Sequence, residues 1–82
     1  MKSDVIMREK VIEILDGLRP EFDFSEDVNF IEEGMLDSLD LVNLVDKLEQ
    51  EYSIEIDGLD IVTENFTSLE SILNLLKKCG AK

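Results

Sequence analysis

Apolar residues return at the period of an α-helix in three separate stretches of this chain, and that repetition limits the fold more than any other feature. At about 100° per residue, Met7, Val11, Ile14, Leu15 and Leu18 fall on one arc, with Glu9, Lys10, Glu13 and Asp16 opposite. Ser3 is a good N-cap for this segment, and Asp4 behind it suits the positive helix end. Gly17 and the Arg19-Pro20 pair end it, because proline disfavours helical geometry in the residue before it. A second arc of Leu41, Leu44, Val45, Leu48 and Tyr52 predicts a helix from about Ser38 to Tyr52, with Asp40, Asn43, Lys47, Gln50 and Glu51 on the other side. The third segment opens at Thr67, in a capping box with Glu70, and runs through Leu69, Ile72, Leu73 and Leu76 to a terminating Gly80.

Only Ser53-Ile54-Glu55-Ile56 alternates like a strand, and with no partner strand it reads as an extended connector. Asp57-Gly58 marks a turn, and Asp60 to Glu64 is expected to add one short helical turn before Phe66. The expected fold is therefore all-α: a small four-helix bundle, three longer helices plus one short, packed as a single domain over residues 1–82. The connection from Gly17 to Asp37, about twenty residues, far exceeds the usual 2 to 8 between bundle helices. It carries Leu18, Phe22, Phe24, Val28, Phe30, Ile31, Met35 and Leu36, too many apolar anchors for a disordered linker. A long structured first loop is expected, delivering Gly34-Met35-Leu36-Asp37-Ser38-Leu39 to the start of the second helix.

Several kinds of chemistry are excluded by what the chain lacks. With no histidine and one cysteine, Cys79, it can build neither a serine or cysteine nucleophile paired with histidine nor a Cys/His zinc site, and no internal disulfide. Its acids lack the spacing of a calcium loop, since Asp57-Gly58 has the glycine in the wrong place, so no metal site is expected. The longest apolar run, Val5-Ile6-Met7, is far too short to span a membrane or form the core of a signal peptide, and a cytoplasmic location is expected. The net charge of -12 is concentrated in residues 21–71, which hold sixteen of the twenty acids and a single base, Lys47. Such a field repels nucleic acid and anionic lipid, so partners should be basic proteins. Neither the Asn65-Phe66-Thr67 sequon nor Cys79 near the C-terminus carries a function on this reading.

Within the hexapeptide, either Asp37 or Ser38 can serve as the N-cap, and either way the Ser38 hydroxyl lies beside unpaired amides at the positive end of a helix. A phosphate esterified to that hydroxyl would be held favourably there. Gly34 would let the loop turn sharply. Leu39 and Val42 project away from the core arc beside Asp46 and Glu49, a pattern that suits docking of another protein.

The run Gly34-Met35-Leu36-Asp37-Ser38-Leu39-Asp40 resembles the modification motif of acyl carrier proteins and related peptidyl and D-alanyl carrier proteins. The likeness covers almost the whole chain: size, acidity, long first loop, the serine at the mouth of the second helix, the Leu48-Glu49-Gln50-Glu51-Tyr52-Ser53-Ile54-Glu55-Ile56 continuation and the Phe66-Thr67-Ser68-Leu69 start of the last helix. It implies a carrier and not an enzyme, with Ser38 as the covalent attachment point for 4'-phosphopantetheine taken from coenzyme A. Acyl or aminoacyl groups would ride on that arm as thioesters for fatty-acid, polyketide, peptide or related biosynthesis. The partners implied are a phosphopantetheinyl transferase and acyl-loading or acyl-processing enzymes, whose basic patches would meet Asp37, Leu39, Asp40, Val42, Asp46 and Glu49 on a monomeric carrier. Common fatty-acid carriers show Gly-Ala-Asp-Ser-Leu; the extra residue between Gly34 and Asp37 is more like D-alanyl, peptidyl or specialised stand-alone carriers. A different class of reading stays open beside this one: an unmodified acidic helical adaptor that binds a basic partner through its second helix.

Overall fold

Each of the three apolar arcs becomes an α-helix in the computed structural model, which describes residues 2–81: α1 spans Lys2–Leu18, α2 Ser38–Tyr52 and α3 Leu69–Lys78. No strand occurs among the described residues; residues 54–57 form the connector, whereas Ser53, expected to open it in extended form, is left-handed (φ 53°, ψ 47°) and closes α2. The short fourth helix is replaced by two single turns of 3-10 helix, Gly58–Asp60 and Thr63–Phe66. A local cap explains the first of them, since Asp57 Oδ1 accepts the Leu59 N–H at 2.9 Å and starts the turn earlier than periodicity alone indicates.

Met7, Val11 and Leu15 of α1, Leu41, Leu44, Val45 and Leu48 of α2, and Leu69, Ile72, Leu73, Leu75 and Leu76 of α3 bury their side chains in one apolar cluster. Burial of that area is the main force holding the helices together, at about 25 cal/mol for each Å² removed from water. Ile14, Leu18 and Tyr52 lie at its margin, half-buried. The Tyr52 hydroxyl oxygen is itself buried, with no hydrogen-bond partner among the described residues.

Helix ends differ from the sequence reading in two places. The described α1 begins at Lys2, one residue before its expected cap Ser3, whose side chain lies outside the described residues. At α3 the cap is Ser68, not Thr67: Ser68 is extended (φ -152°, ψ 167°) and its hydroxyl accepts the Ser71 N–H at 3.1 Å. Thr67 has helical angles and closes the preceding 3-10 turn, so its side chain cannot take the cap position. At the other end, Gly80 adopts φ 89° while its N–H bonds to the Lys77 carbonyl and that of Ala81 to the Leu76 carbonyl. This left-handed stop needs glycine, as the sequence suggested.

The first loop is packed, and this is what fixes the start of α2. Phe24, Phe30, Met35 and Leu36 are buried in the common core, and the rings of Phe24 and Phe30 meet edge to face with centroids 5.1 Å apart. The Phe30 N–H bonds to the Thr67 carbonyl at 2.7 Å, tying the loop to the entrance of α3. Its own carbonyl accepts the Met35 and Leu36 N–H groups, and Asn29 Oδ1 accepts those of Ile31 and Glu32. Gly34 sits in this turn at φ 72°, and a side chain there would meet open space, so backbone conformation and not crowding calls for glycine.

Candidate functional site

Asp37, and not Ser38, caps α2. Its backbone is extended, its Oδ1 accepts the Asp40 N–H at 2.9 Å, and Asp40 Oδ2 accepts the Asp37 N–H at 3.1 Å, so the two residues form a reciprocal box around the first turn. Ser38 is thereby left as the first helical residue, exposed to solvent, and its hydroxyl enters none of the hydrogen bonds found among the described residues. The amides of Ser38 and Leu39, at the first and second helical positions, have no preceding turn whose carbonyls could accept them. An accessible primary hydroxyl therefore stands beside two such N–H groups at the positive end of a 15-residue helix.

On the outer face of α2, Leu39 is 67% and Val42 60% exposed, as expected from the helical arc. Asp46 is also exposed, accepting a bond from Gln50 one turn on. Glu49 is only half-exposed: Oε2 accepts the Ile56 N–H at 2.8 Å, so this carboxylate holds the connector that follows the helix. Glu49 lies at the edge of the outer face nearest Val45, which brings the connector within its reach.

Asp40 requires the larger correction. Placed on the solvent side by the sequence reading, it is 8% exposed. Four residues advance a helix by about 400°, which puts Asp40 only about 40° from the fully buried Leu44. Arg19, just beyond the end of α1, then covers it. Arg19 Nε donates to Asp40 Oδ2 at 2.9 Å, Nη2 lies 2.8 Å from the same oxygen and 3.2 Å from Asp37 Oδ2, and Nη1 donates to Glu21 Oε2 at 3.3 Å. The sequence reading treated Arg19 only as part of a helix stop. A signal was available, because Arg19 is the last base before a segment with sixteen acids and one lysine.

These contacts set protonation. Burial pushes the Asp40 carboxyl up, but the hydrogen bond from Arg19, the Asp37 N–H and the guanidinium charge together outweigh it and hold Asp40 below the ordinary carboxylate range. The Asp40 hydrogen bond, followed by that of Glu21, raises Arg19 above its ordinary value. Because the folded protein holds Asp40 below its unfolded value of about 3.9, the bond's contribution is complete above that pH and fades as pH falls through the lower folded value. Asp40→Asn is expected to lose about 1 kcal/mol of stability at pH 7. In urea denaturation, the gap between wild type and Asp40→Asn should narrow below about pH 4; a gap that stays constant down to pH 3 would show that the ionised form contributes nothing. Charge reversal at Asp40 or Glu49 would thus disturb the fold as well as any docking, contrary to the expectation that these acids are free surface charges.

Comparison with known proteins agrees with this geometry. A family model described as a phosphopantetheine attachment site matches residues 7–76, most of the chain and all three helices in whole or part. Among curated proteins, an acyl carrier protein of Buchnera aphidicola subsp. Baizongia pistaciae (strain Bp) is 44% identical over 48 residues, covering 58% of this chain and 59% of that protein. The chain thus spans somewhat over half the length of this curated relative. No solved structure gives a significant match. With the match over residues 7–76 enclosing the exposed serine at the mouth of α2, the chain belongs to the phosphopantetheine attachment-site family, the acyl carrier protein family that its Asp37-Ser38-Leu39 setting resembles.

Proposed function

We propose that this protein carries acyl or aminoacyl groups on a 4'-phosphopantetheine arm esterified to Ser38 and hands them to the enzymes of a biosynthetic pathway, of the fatty-acid, polyketide, peptide or a related kind. Members of this carrier family are not enzymes, and phosphopantetheine is the group the family attaches. The observation that carries the assignment to Ser38 is the exposed hydroxyl on the first residue of α2. The residues there fit the arm: the hydroxyl is a free ester site, and the Ser38 and Leu39 amides with the helix dipole favour an anionic phosphate beside it. When bound, the arm supplies the terminal thiol on which a carboxylic acid is held as a thioester. The chain's own part is to present one oxygen to solvent and to bring the load to successive enzymes at high effective concentration.

Leu39 and Val42 supply an apolar docking patch, with Asp37 and Asp46 as exposed charges beside it and the less accessible Asp40 and Glu49 adding to the field while they serve internal bonds. The partners that fit are a phosphopantetheinyl transferase and acyl-loading or acyl-processing enzymes with basic patches, meeting a monomeric carrier in the cytoplasm. No helix among the described residues is long and apolar enough to cross a membrane. Leu39→Ala, at a position 67% exposed, is expected to change stability by less than about 0.5 kcal/mol. The same variant should raise the transferase KM for the carrier several-fold, and an unchanged KM in steady-state kinetics would remove Leu39 from the docking surface.

The decisive measurement is intact mass. Incubated with coenzyme A and a broad-specificity phosphopantetheinyl transferase, the apo protein should gain one arm, and peptide mapping should locate it at Ser38. Absence of any gain would favour the acidic adaptor.

A further inference from the structure

We propose that Arg19 is a positioning residue for arm attachment: its guanidinium ties the end of α1 to the cap of α2 and so holds the Ser38 hydroxyl in the place a transferase must find it. The inference rests on Ser38 being the attachment point. Arg19 is itself anchored, since its N–H bonds to the Leu15 carbonyl at 2.9 Å and continues the last turn of α1. Its side chain then crosses to two residues that bracket Ser38 in the sequence, Asp37 immediately before it and Asp40 two positions after. One oxygen, Asp40 Oδ2, accepts from Arg19 Nε and from the Asp37 N–H and lies 2.8 Å from Nη2, so the guanidinium and the capping box share an atom. The contact spans 21 positions of sequence and makes a direct strut between helix ends that the covalent loop joins only through a long detour.

The same contact answers an electrostatic problem. Ser38 stands among carboxylates, and the donor of the arm is a phosphate ester that those charges repel. Arg19 compensates Asp37 and Asp40 where the phosphorus must approach. Lysine would restore the charge but not the grip, because a point ammonium cannot reproduce a planar fork bonded to Asp40, Asp37 and Glu21 at once. Geometry and charge therefore make separable predictions.

The test is steady-state arm transfer from coenzyme A with Arg19→Lys and Arg19→Met, at a temperature well below both unfolding midpoints. A Val11→Ala control destabilises the core without touching the start of α2. A displacement of the reacting oxygen by a fraction of an ångström to one ångström is expected to lower kcat about ten- to a hundredfold in Arg19→Met. Arg19→Lys should recover only a minor part of this, and Val11→Ala should show none of the loss. Faster amide exchange at Asp37 and Asp40, whose N–H groups hold the capping box, would accompany the effect in both Arg19 variants. Wild-type kcat in the Arg19 variants, an effect confined to KM, full recovery by lysine, or an equal loss in Val11→Ala would each overturn the proposal. If the wild type itself takes no arm, it is the assignment of Ser38 that fails.

Discussion

Ser38→Ala protein is expected to gain no mass on incubation with coenzyme A and a transferase that fully modifies the wild type, while unfolding at nearly the wild-type midpoint. The first half follows from the chemistry. In the proposed attachment a bond forms between Ser38 Oγ and phosphorus, the phosphorus–oxygen bond within the pyrophosphate of coenzyme A breaks, the adenosine-containing half leaves, and the hydroxyl proton passes to a base on the transferase. Without Oγ there is no nucleophile, and no neighbour substitutes for it. The second half follows from the cap. Asp37, not Ser38, satisfies the Asp40 amide, so alanine removes no capping bond and, at an exposed helical position, changes stability by at most about 0.5 kcal/mol. Mass gain persisting in Ser38→Ala would place attachment elsewhere, whereas a large loss of stability would show that the serine is structural.

Phe30→Ala is expected to remove about 3 to 5 kcal/mol, a large share of the roughly 5 to 15 kcal/mol typical of a domain. Phe30 is fully buried, its ring stands edge-on to Phe24, and its backbone joins Thr67, Met35 and Leu36. Truncation would leave a cavity at the point where the first loop, the start of α2 and the entrance of α3 are held together. For a chain of this size the unfolding midpoint should fall by about 4 to 8 °C for each kcal/mol lost. Phe22→Ala, at a half-buried ring, serves as the milder comparison. A loss below about 1 kcal/mol in Phe30→Ala would mean that the loop rests on the core without belonging to it.

The contrast between Phe30 and Arg19 shows how far the residues alone could be read. Loop packing was legible because a run of aromatic and aliphatic side chains has nowhere to go but inward. The limits of α2 were legible because Asp37-Ser38 and the arc ending at Tyr52 are local signals, and α2 begins and ends where they place it. The Arg19–Asp40 pair was not, because its partners are 21 positions apart and a helical arc labels every acid as outward unless something is known to cover it. Glu49 escaped for a related reason: only the folded path of the connector brings the Ile56 N–H to its carboxylate. The sequence reading placed the cap of α3 at Thr67, and the preceding 3-10 turn, which fixes the angles of Thr67, moves it to Ser68. The proposed attachment site was therefore visible as a motif, whereas the Arg19–Asp40 contact beside it was not.

Tyr52 gives the molecule a built-in optical label. It is the sole tyrosine in a chain without tryptophan, and burial, with Glu51 adding to it, raises its phenol above the ordinary tyrosine value. Near-ultraviolet circular dichroism and emission from this one ring therefore follow the junction of α2 with its connector, so that the far end of α2 can be watched on mixing with a candidate partner without attaching a dye.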